Sequence, residues 1–545
     1  MSVQATFAAT LVDEWVARGV TDAVICPGSR STPLALALAE RLSVHVRLDE
    51  RSAGFFAIGL SLVSGVPTII CVTSGTAAAE LHASVVEAHQ ARIPLIVCTA
   101  DRPPELQQVG ASQTIDQIGL FTTSTRWACA PGVPEAAQSA GWRPLAVRAL
   151  AEALDGPRGP GPVHLNLAFR EPLIGEPDPL PPRVGPSVSG YSSGTVKLGS
   201  PLTGRGLIVA GGGVAGVQAQ VLELGSALGW PVLADPMSGC RVEGSIAAAD
   251  AIARADPALA DTVVLLGTPW LSKALGEYVV AAGSRGARVI SVDPWRQWSD
   301  PSHGVTEWHQ VRPAAWLASA RDGAILGDPA WLAQWQNYEM AAQGAIATTL
   351  SDQMSEPLAA RMLFRHAASV DATIVVSASM PLRDLEWFAP ALPVPPVVLA
   401  NRGTNGIDGV ASTALGVAAA GRRTFALLGD LAFLHDVSAL VNLPNVPCTF
   451  VVLDNGGGGI FSFLPQARAL EETRFEQLFG TPPSSDIGDV ARGFGLEVHE
   501  VETPGQLDHA LTLPAPSMVR VKVPGRSANV ALHDAVNQAV RLALD

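Results

Sequence analysis

At 545 residues the chain is too long for a single hydrophobic core, and its length predicts three or four domains. With 48 % apolar and only 16 % charged residues it is globular rather than disordered, and a formal net charge of −14 argues against nucleic acid or anionic membrane as partners. The six cysteines (Cys26, Cys71, Cys98, Cys129, Cys240, Cys448) are scattered without a Cys-x-x-Cys pair, so reduced core thiols of a cytoplasmic protein are expected. No basic-then-apolar leader opens the chain and no apolar run reaches membrane-spanning length, so no membrane insertion is expected.

The first segment, to about residue 185, alternates helix and strand. Phe7, Leu11, Val12, Trp15 and Val16 form a helical stripe. Strands are expected over Asp22–Cys26, Val44–Leu48, Pro67–Val72, Ile93–Cys98 and Val163–Phe169. Polar clusters follow four of them: Pro27-Gly28-Ser29-Arg30-Ser31-Thr32-Pro33, Asp49-Glu50-Arg51, Thr73-Ser74-Gly75-Thr76 and Thr99-Ala100-Asp101-Arg102-Pro103-Pro104-Glu105. The third cluster opens a helix expected to run to about Gln90. Such alternation predicts a parallel, doubly wound sheet, whose ligands bind beyond the carboxyl ends of its strands. From Pro177 to Gly199 the composition is that of a linker.

The second segment begins with the strand Gly206–Ala210 and a glycine run, Gly211-Gly212-Gly213-Val214-Ala215-Gly216. That run fits both a dinucleotide-binding turn, with Asp235 as the ribose acid, and a turn that is merely tightly packed. The third segment alternates again. Ala372–Val376 leads into Ser377-Ala378-Ser379-Met380-Pro381-Leu382-Arg383. Pro396–Leu399 leads into Asn401-Arg402-Gly403-Thr404-Asn405-Gly406-Ile407-Asp408-Gly409. Two buried strands, Thr424–Leu428 and Thr449–Leu453, then frame a helix expected over Phe433–Leu443. Met518–Val523 and Ser527–Leu544 close the chain as strand and helix. The domains expected are 1–185, 186–345 and 346–545.

The chain centres on Gly429 to Phe461. Gly429-Asp430-Leu431 follows the first of those two strands, and Asp454-Asn455-Gly456-Gly457-Gly458-Gly459-Ile460-Phe461 follows the second, about 25 residues on. An acid, a carboxamide and a glycine-rich turn at one sheet edge suit a hard cation and a diphosphate. This spacing resembles the diphosphate–Mg²⁺ motif of thiamine-diphosphate (ThDP) enzymes. Three α/β segments with that motif in the last look like the decarboxylase branch, in which a pyrimidine-binding domain, a Rossmann-like central domain and a diphosphate-binding domain follow one another. Taken together, the clusters quoted above resemble more closely the 2-succinyl-5-enolpyruvyl-6-hydroxy-3-cyclohexene-1-carboxylate synthase family. Many ThDP enzymes carry Asn-Asn where this chain has Asp454-Asn455; the ligand position is the second.

The resemblance implies decarboxylation of 2-oxoglutarate and addition of the resulting succinic semialdehyde carbanion to isochorismate. It makes Glu50, which alone would read as an exposed carboxylate beside Arg51, the catalytic partner of the cofactor's pyrimidine N1′. Asp430, Asn455 and the Gly457 carbonyl would bind Mg²⁺ (or Mn²⁺). Thr73, Ser74, Gly75, Ile407, Gly429, Leu431, Ile460 and Phe461 would complete the cofactor site. Ser29, Arg30, Arg102, Gln113, Lys273, Ser379, Arg383 and Arg402 would bind the substrates, because a guanidinium fork matches a carboxylate. Each arginine also fits a surface ion pair. The family builds its site between two subunits, so a homodimer or homotetramer is expected. Two other readings are another ThDP enzyme acting on a 2-oxoacid, such as acetolactate synthase, and a nucleotide-dependent oxidoreductase using Gly211–Gly216.

Overall fold

The computed structural model describes residues 2–183, 200–214, 216–295, 298–351 and 353–545. The expected linker from residue 184 onward, the boundary at 185/186 and Ala215 of the glycine run lie outside the described residues. Three sheets follow one another along the chain. The first has the order Ser43–Val46, Asp22–Ile25, Thr68–Val72, Leu95–Asp101, Pro162–Ala168, Trp127–Cys129, with every pairing parallel. The second has the order Glu307–His309, Arg288–Val292, Thr262–Leu266, Gly206–Ala210, Val232–Ala234, again all parallel. The third has the order Val397–Ala400, Thr373–Val376, Thr424–Gly429, Cys448–Asp454, Ser517–Lys522, Glu497–Val501. Strands buried on both faces by helices read as continuous apolar runs, which is why Thr68–Val72 and Gly206–Ala210 are buried at every position. The helix Pro329–Thr349 runs across the expected boundary at 345/346.

By contact the chain divides into two compact units. One comprises residues 1–191, 401–424 and 432–448; the other comprises 192–400, 425–431 and 449–545. In the first unit, Phe7, Leu11, Trp15, Ile69, Ile96, Val163 and Leu165 belong to one core cluster against the first sheet. The helix Glu50–Ser64 lies along the helix Val410–Ala419, with Ser52 Oγ 2.8 Å from Ser412 Oγ. In the second unit, the fully buried Arg241 joins the second and third segments. It donates to the carbonyls of Ala234, Leu385, Glu386 and Ala389 at 2.8–2.9 Å.

Two local expectations need correction. The helix expected over Phe433–Leu443 is instead Asp430–His435, followed by a 3-10 turn at Val437–Leu440. The break falls at Asp436, whose buried carboxylate accepts from Ser412 N–H (2.7 Å) and Ser412 Oγ (3.0 Å) instead of facing solvent on a continuing helix. The helix expected to run to Gln90 is split at Leu81 into Thr76–Glu80 and His82–Ala91. The cluster Asp49-Glu50-Arg51 opens a helix: Asp49 accepts from Ser52 N–H at 3.1 Å and caps a helix whose first residue is Glu50.

Candidate active site

In the third sheet, Asp430 directly follows the strand Thr424–Gly429 and opens a helix. It is 1 % exposed. Its carboxylate accepts from Leu431 N–H at 2.6 Å and from Gly457 N–H at 2.7 Å. Burial nevertheless outweighs those bonds and raises its pKa to about 6. The next strand ends at Asp454, and Asn455 follows. Asn455 Nδ2 donates to Glu356 Oε1 at 2.9 Å, while Asn455 Oδ1 is buried with no hydrogen-bond partner among the described residues. An orphaned amide oxygen beside a buried carboxylate is costly unless something electropositive meets it. Asp454 is not a rival ligand. Its Oδ2 is taken by Arg520 at 2.7–2.8 Å, so the acid standing where many ThDP enzymes have asparagine is neutralised within the fold. The glycine turn is anchored by Gly458 N–H donating to Gly480 O at 2.7 Å, and Phe461 packs on Phe479 with centroids 5.5 Å apart.

In the first sheet, Glu50 is half-buried, and burial pushes its carboxyl above the usual carboxylate range. Thr73 and Ser74 are buried at the end of the strand Thr68–Val72. Ser74 Oγ donates to Gln113 O (2.9 Å), and Gln113 Nε2 donates back to Ser74 O (3.1 Å). Gly75 N–H donates to Gln117 Oε1 at 2.8 Å. Behind this edge, Gln117 Nε2 donates to Asn166 Oδ1 (2.8 Å), and Asn166 Nδ2 donates to Asp101 Oδ2 (2.8 Å). Thr99 Oγ1 donates to Asn166 Oδ1 at 2.9 Å. Gly75 is therefore held by a buried polar chain through Gln117 and Asn166, and Ser74 by its two bonds with Gln113.

The substrate residues fall into distinct settings. Ser29 is exposed. Arg30 is 6 % exposed; its Nη1 donates to Phe169 O at 3.0 Å, Nη2 lies 3.3 Å from Glu171, and Nε is buried without a hydrogen-bond partner among the described residues. Burial, and then the charge of Arg102, lower its pKa. Arg102 itself donates to Ser112 O at 3.1–3.2 Å, next to Gln113. Arg30, Arg102 and Gln113 thus come together at one strand edge. Arg383 donates to Ser379 O at 2.7 Å, and Ser379 has φ +72° at the start of its helix. Arg402 and Ile407 are partly exposed on the loop before the helix Val410–Ala419. Ile407 is thus no plain core residue. Lys273 stands 87 % exposed, paired with Glu277 at 3.4 Å.

The comparisons agree on a family. Residues 5–120 match the family described as thiamine pyrophosphate enzyme, N-terminal TPP binding domain; residues 196–371 match the middle domain of thiamine pyrophosphate; residues 387–518 match the C-terminal TPP binding domain. Among curated proteins, 2-succinyl-5-enolpyruvyl-6-hydroxy-3-cyclohexene-1-carboxylate synthase from Thermobifida fusca is 41 % identical, covering 100 % of both chains. The proteins of the same name from Myxococcus xanthus and Chloroflexus aurantiacus are 39 % and 40 % identical, over 97 % and 89 % of this chain and 95 % and 87 % of theirs. The chain belongs to the 2-succinyl-5-enolpyruvyl-6-hydroxy-3-cyclohexene-1-carboxylate synthase family of ThDP enzymes. Its fold is also similar to benzoylformate decarboxylase from Polynucleobacter necessarius, with a TM-score of 0.72 at 17 % identity over 95 % of this chain and 98 % of that one.

The residues fit this family's cofactor. Among the described residues no three His, Cys, Asp or Glu side chains cluster as a cage for a metal. A cation at Asp430 would instead use one carboxylate, one amide oxygen and one main-chain carbonyl, leaving room for phosphate oxygens, as Mg²⁺ prefers. Sequence reasoning missed Gln117, Asn166 and Glu356. Tertiary contacts alone bring Gln117 to Gly75, Asn166 to Gln117 and Glu356 to Asn455, and no local pattern marks them. Within the glycine run, packing accounts for Gly211, where a Cβ would lie 1.8 Å from Thr268 O, and a φ of +83° accounts for Gly213.

Proposed function

We propose that this chain decarboxylates 2-oxoglutarate and adds the resulting four-carbon unit to isochorismate, as its relatives' name implies, with ThDP and Mg²⁺ (or Mn²⁺) as cofactors. The observation that carries the reading is the buried, unpartnered Asn455 Oδ1 beside Asp430 and the glycine turn. Asp430, Asn455 Oδ1 and the Gly457 carbonyl would hold the cation, and Gly429, Leu431, Ile460 and Phe461 would border the diphosphate. Thr73, Ser74, Gly75 and Ile407 would border the rest of the cofactor. ThDP, when bound, supplies the electron sink that loss of CO₂ from a 2-oxoacid requires.

The remaining work falls to the protein. Glu50, its carboxyl shifted upward by burial, can hold a proton or a strong hydrogen bond at the aminopyrimidine end. The arginines orient carboxylates. Arg30 and Arg102 are close enough for one charge to depress the other, with Glu171 the only acid paired to Arg30 among the described residues. Such an edge favours an anion with more than one carboxylate. Ser29, Gln113, Ser379, Arg383, Arg402 and Lys273 would complete substrate binding. We further propose the domain limits 1–185, 186–345 and 346–545, a homodimer or homotetramer with sites shared between subunits, and a cytoplasmic setting, supported by six free thiols. No described helix is long and apolar enough to cross a membrane.

The test is direct. Purified protein is mixed with ThDP, Mg²⁺, 2-oxoglutarate and isochorismate, and isochorismate absorbance is followed against a control without ThDP. ThDP-dependent loss is expected. ThDP binding without turnover would overturn the substrate assignment, and absence of ThDP binding would overturn the site.

A further inference from the structure

We propose that Glu356 is a positioning residue for the divalent cation, fixing the side-chain amide of Asn455 so that its oxygen, not its NH₂, faces the metal. The proposal rests on the reading of Asp430, Asn455 and Gly457 as the cation site. An asparagine amide is nearly symmetric in shape but opposite in charge at its two ends. A 180° flip would present two N–H donors to a cation and abolish the ligand. The fold must therefore choose one orientation.

Glu356 makes that choice. It is the first residue of the helix Glu356–Ser369, 2 % exposed, and follows the cap Ser355. Its Oε1 receives two amide donors, Asn455 Nδ2 at 2.9 Å and Asn529 Nδ2 at 3.0 Å. An oxygen on which two N–H groups converge acts as an acceptor whether or not the other carboxyl oxygen carries a proton. A flipped Asn455 would oppose its own oxygen to that acceptor. The bare α-carbon of Gly459 leaves space for the chosen orientation, since a Cβ there would lie 2.6 Å from Asn455 Nδ2. What remains is Oδ1, buried and unpartnered.

The second donor ties in the end of the chain. Asn529 belongs to the closing helix Arg526–Leu544, and Arg526 of the same helix pairs with Glu476. That segment ends at Gly480, whose carbonyl anchors the glycine turn. One carboxylate thus connects two helices to the residue after the strand Cys448–Asp454. Beside it lies a cavity of about 360 Å³ lined by Met354, Ser355, Glu356, Ala528, Asn529 and Leu532. A shortened side chain at 356 is accommodated there without overpacking.

The test measures metal binding without turnover. Mn²⁺ is titrated into the full-length protein with saturating ThDP, and free Mn²⁺ is read by electron paramagnetic resonance. The wild type is expected to bind Mn²⁺ in a ThDP-dependent way. Glu356→Leu, close in size but without an acceptor, should raise the Mn²⁺ Kd by about tenfold or more, the usual scale for partners that orient metal ligands. Glu356→Gln, which keeps an acceptor oxygen, should stay within about threefold of the wild type on the same scale. A purely structural role would lower Tm without separating these two variants in Mn²⁺ affinity. Wild-type affinity in a folded Glu356→Leu overturns the proposal, and so does equal loss in both variants. Glu356→Ala, read in the same way, serves if leucine is not tolerated. If the wild type itself takes up no Mn²⁺ with ThDP, the cation site falls as well; if it does and the variants match it, only the positioning role falls.

Discussion

Two glycine-rich turns follow buried strands in the same half of the molecule; both admit a backbone carbonyl, and they differ in the polar atoms they leave open. Around Gly211 and Gly212 the chain fills its own turn: a Cβ on Gly211 would meet the Thr268 carbonyl at 1.8 Å, and one on Gly267 would meet the Gly212 carbonyl at 2.3 Å. At Gly456–Gly459 the turn instead serves a carboxylate and leaves an amide oxygen open, with Asp430 holding Gly457 N–H and Asn455 Oδ1 buried and unmet. Here Gly459 makes room for the Asn455 amide, while Gly457 and Gly458 make room for the carbonyls of Gly480 and Phe479, at 2.1 and 2.3 Å from a Cβ. The lesson is that a glycine pattern reports close approach, and only the atoms that approach decide whether a ligand or the protein itself occupies the space.

Substitutions can break this comparison. The largest effect is expected from Asp430→Ala, which removes the carboxylate proposed to bind the cation at the second turn. ThDP and Mg²⁺ affinity should fall together by more than about 100-fold, beyond what loss of a mere supporting contact costs. Calorimetric titration showing unchanged affinity would put the cation elsewhere. Glu50→Gln should leave ThDP binding and Tm near wild type while turnover drops by about 100-fold or more, the scale of a lost proton-transfer group. Near-normal steady-state turnover would remove Glu50 from the mechanism.

Smaller effects sharpen the contrast. Gly459→Ala places a methyl 2.6 Å from Asn455 Nδ2 and should weaken cofactor binding by about tenfold, with little change in Tm. Gly211→Ala should do the reverse. It overpacks the central sheet at a cost of about 1–3 kcal/mol, read as a lower Tm, while the folded fraction binds ThDP as before. Loss of ThDP affinity in that variant would mean the two turns are not independent. Gly212→Ala should be the mildest, under about 0.5 kcal/mol, since its Cβ would first meet the flexible Met237 at 3.4 Å. A Tm as low as that of Gly211→Ala would refute the packing account.

Much of the fold was legible because strands buried on both faces leave continuous apolar runs, and the polar clusters that follow them mark the ligand edge. Asp430 and Asn455 could be proposed from spacing, since each follows a strand of one strand–helix–strand unit, and Gly457 from the family resemblance. The extent of the helix after Asp430 could not. It ends at Asp436 because that carboxylate is taken by Ser412 from a distant helix, which no local periodicity announces. The arginines were named as a set, yet only the structure separates the buried Arg30, beside Arg102, from the exposed Lys273 paired with its own helix.

The sequence by itself determined the three α/β segments, the carboxylate after an early strand and the acid–amide–glycine signature, because each is a local pattern of side chains on one strand and the turn after it. Tertiary structure alone decided which atoms of those residues are free. Arg520 neutralises Asp454, Glu356 takes the NH₂ of Asn455, and Gln117 and Asn166 hold the turn at Gly75. These partners lie between 42 and 99 residues away in the chain. Hydrogen bonds and charges act through space, and spacing along the chain records only the near ones.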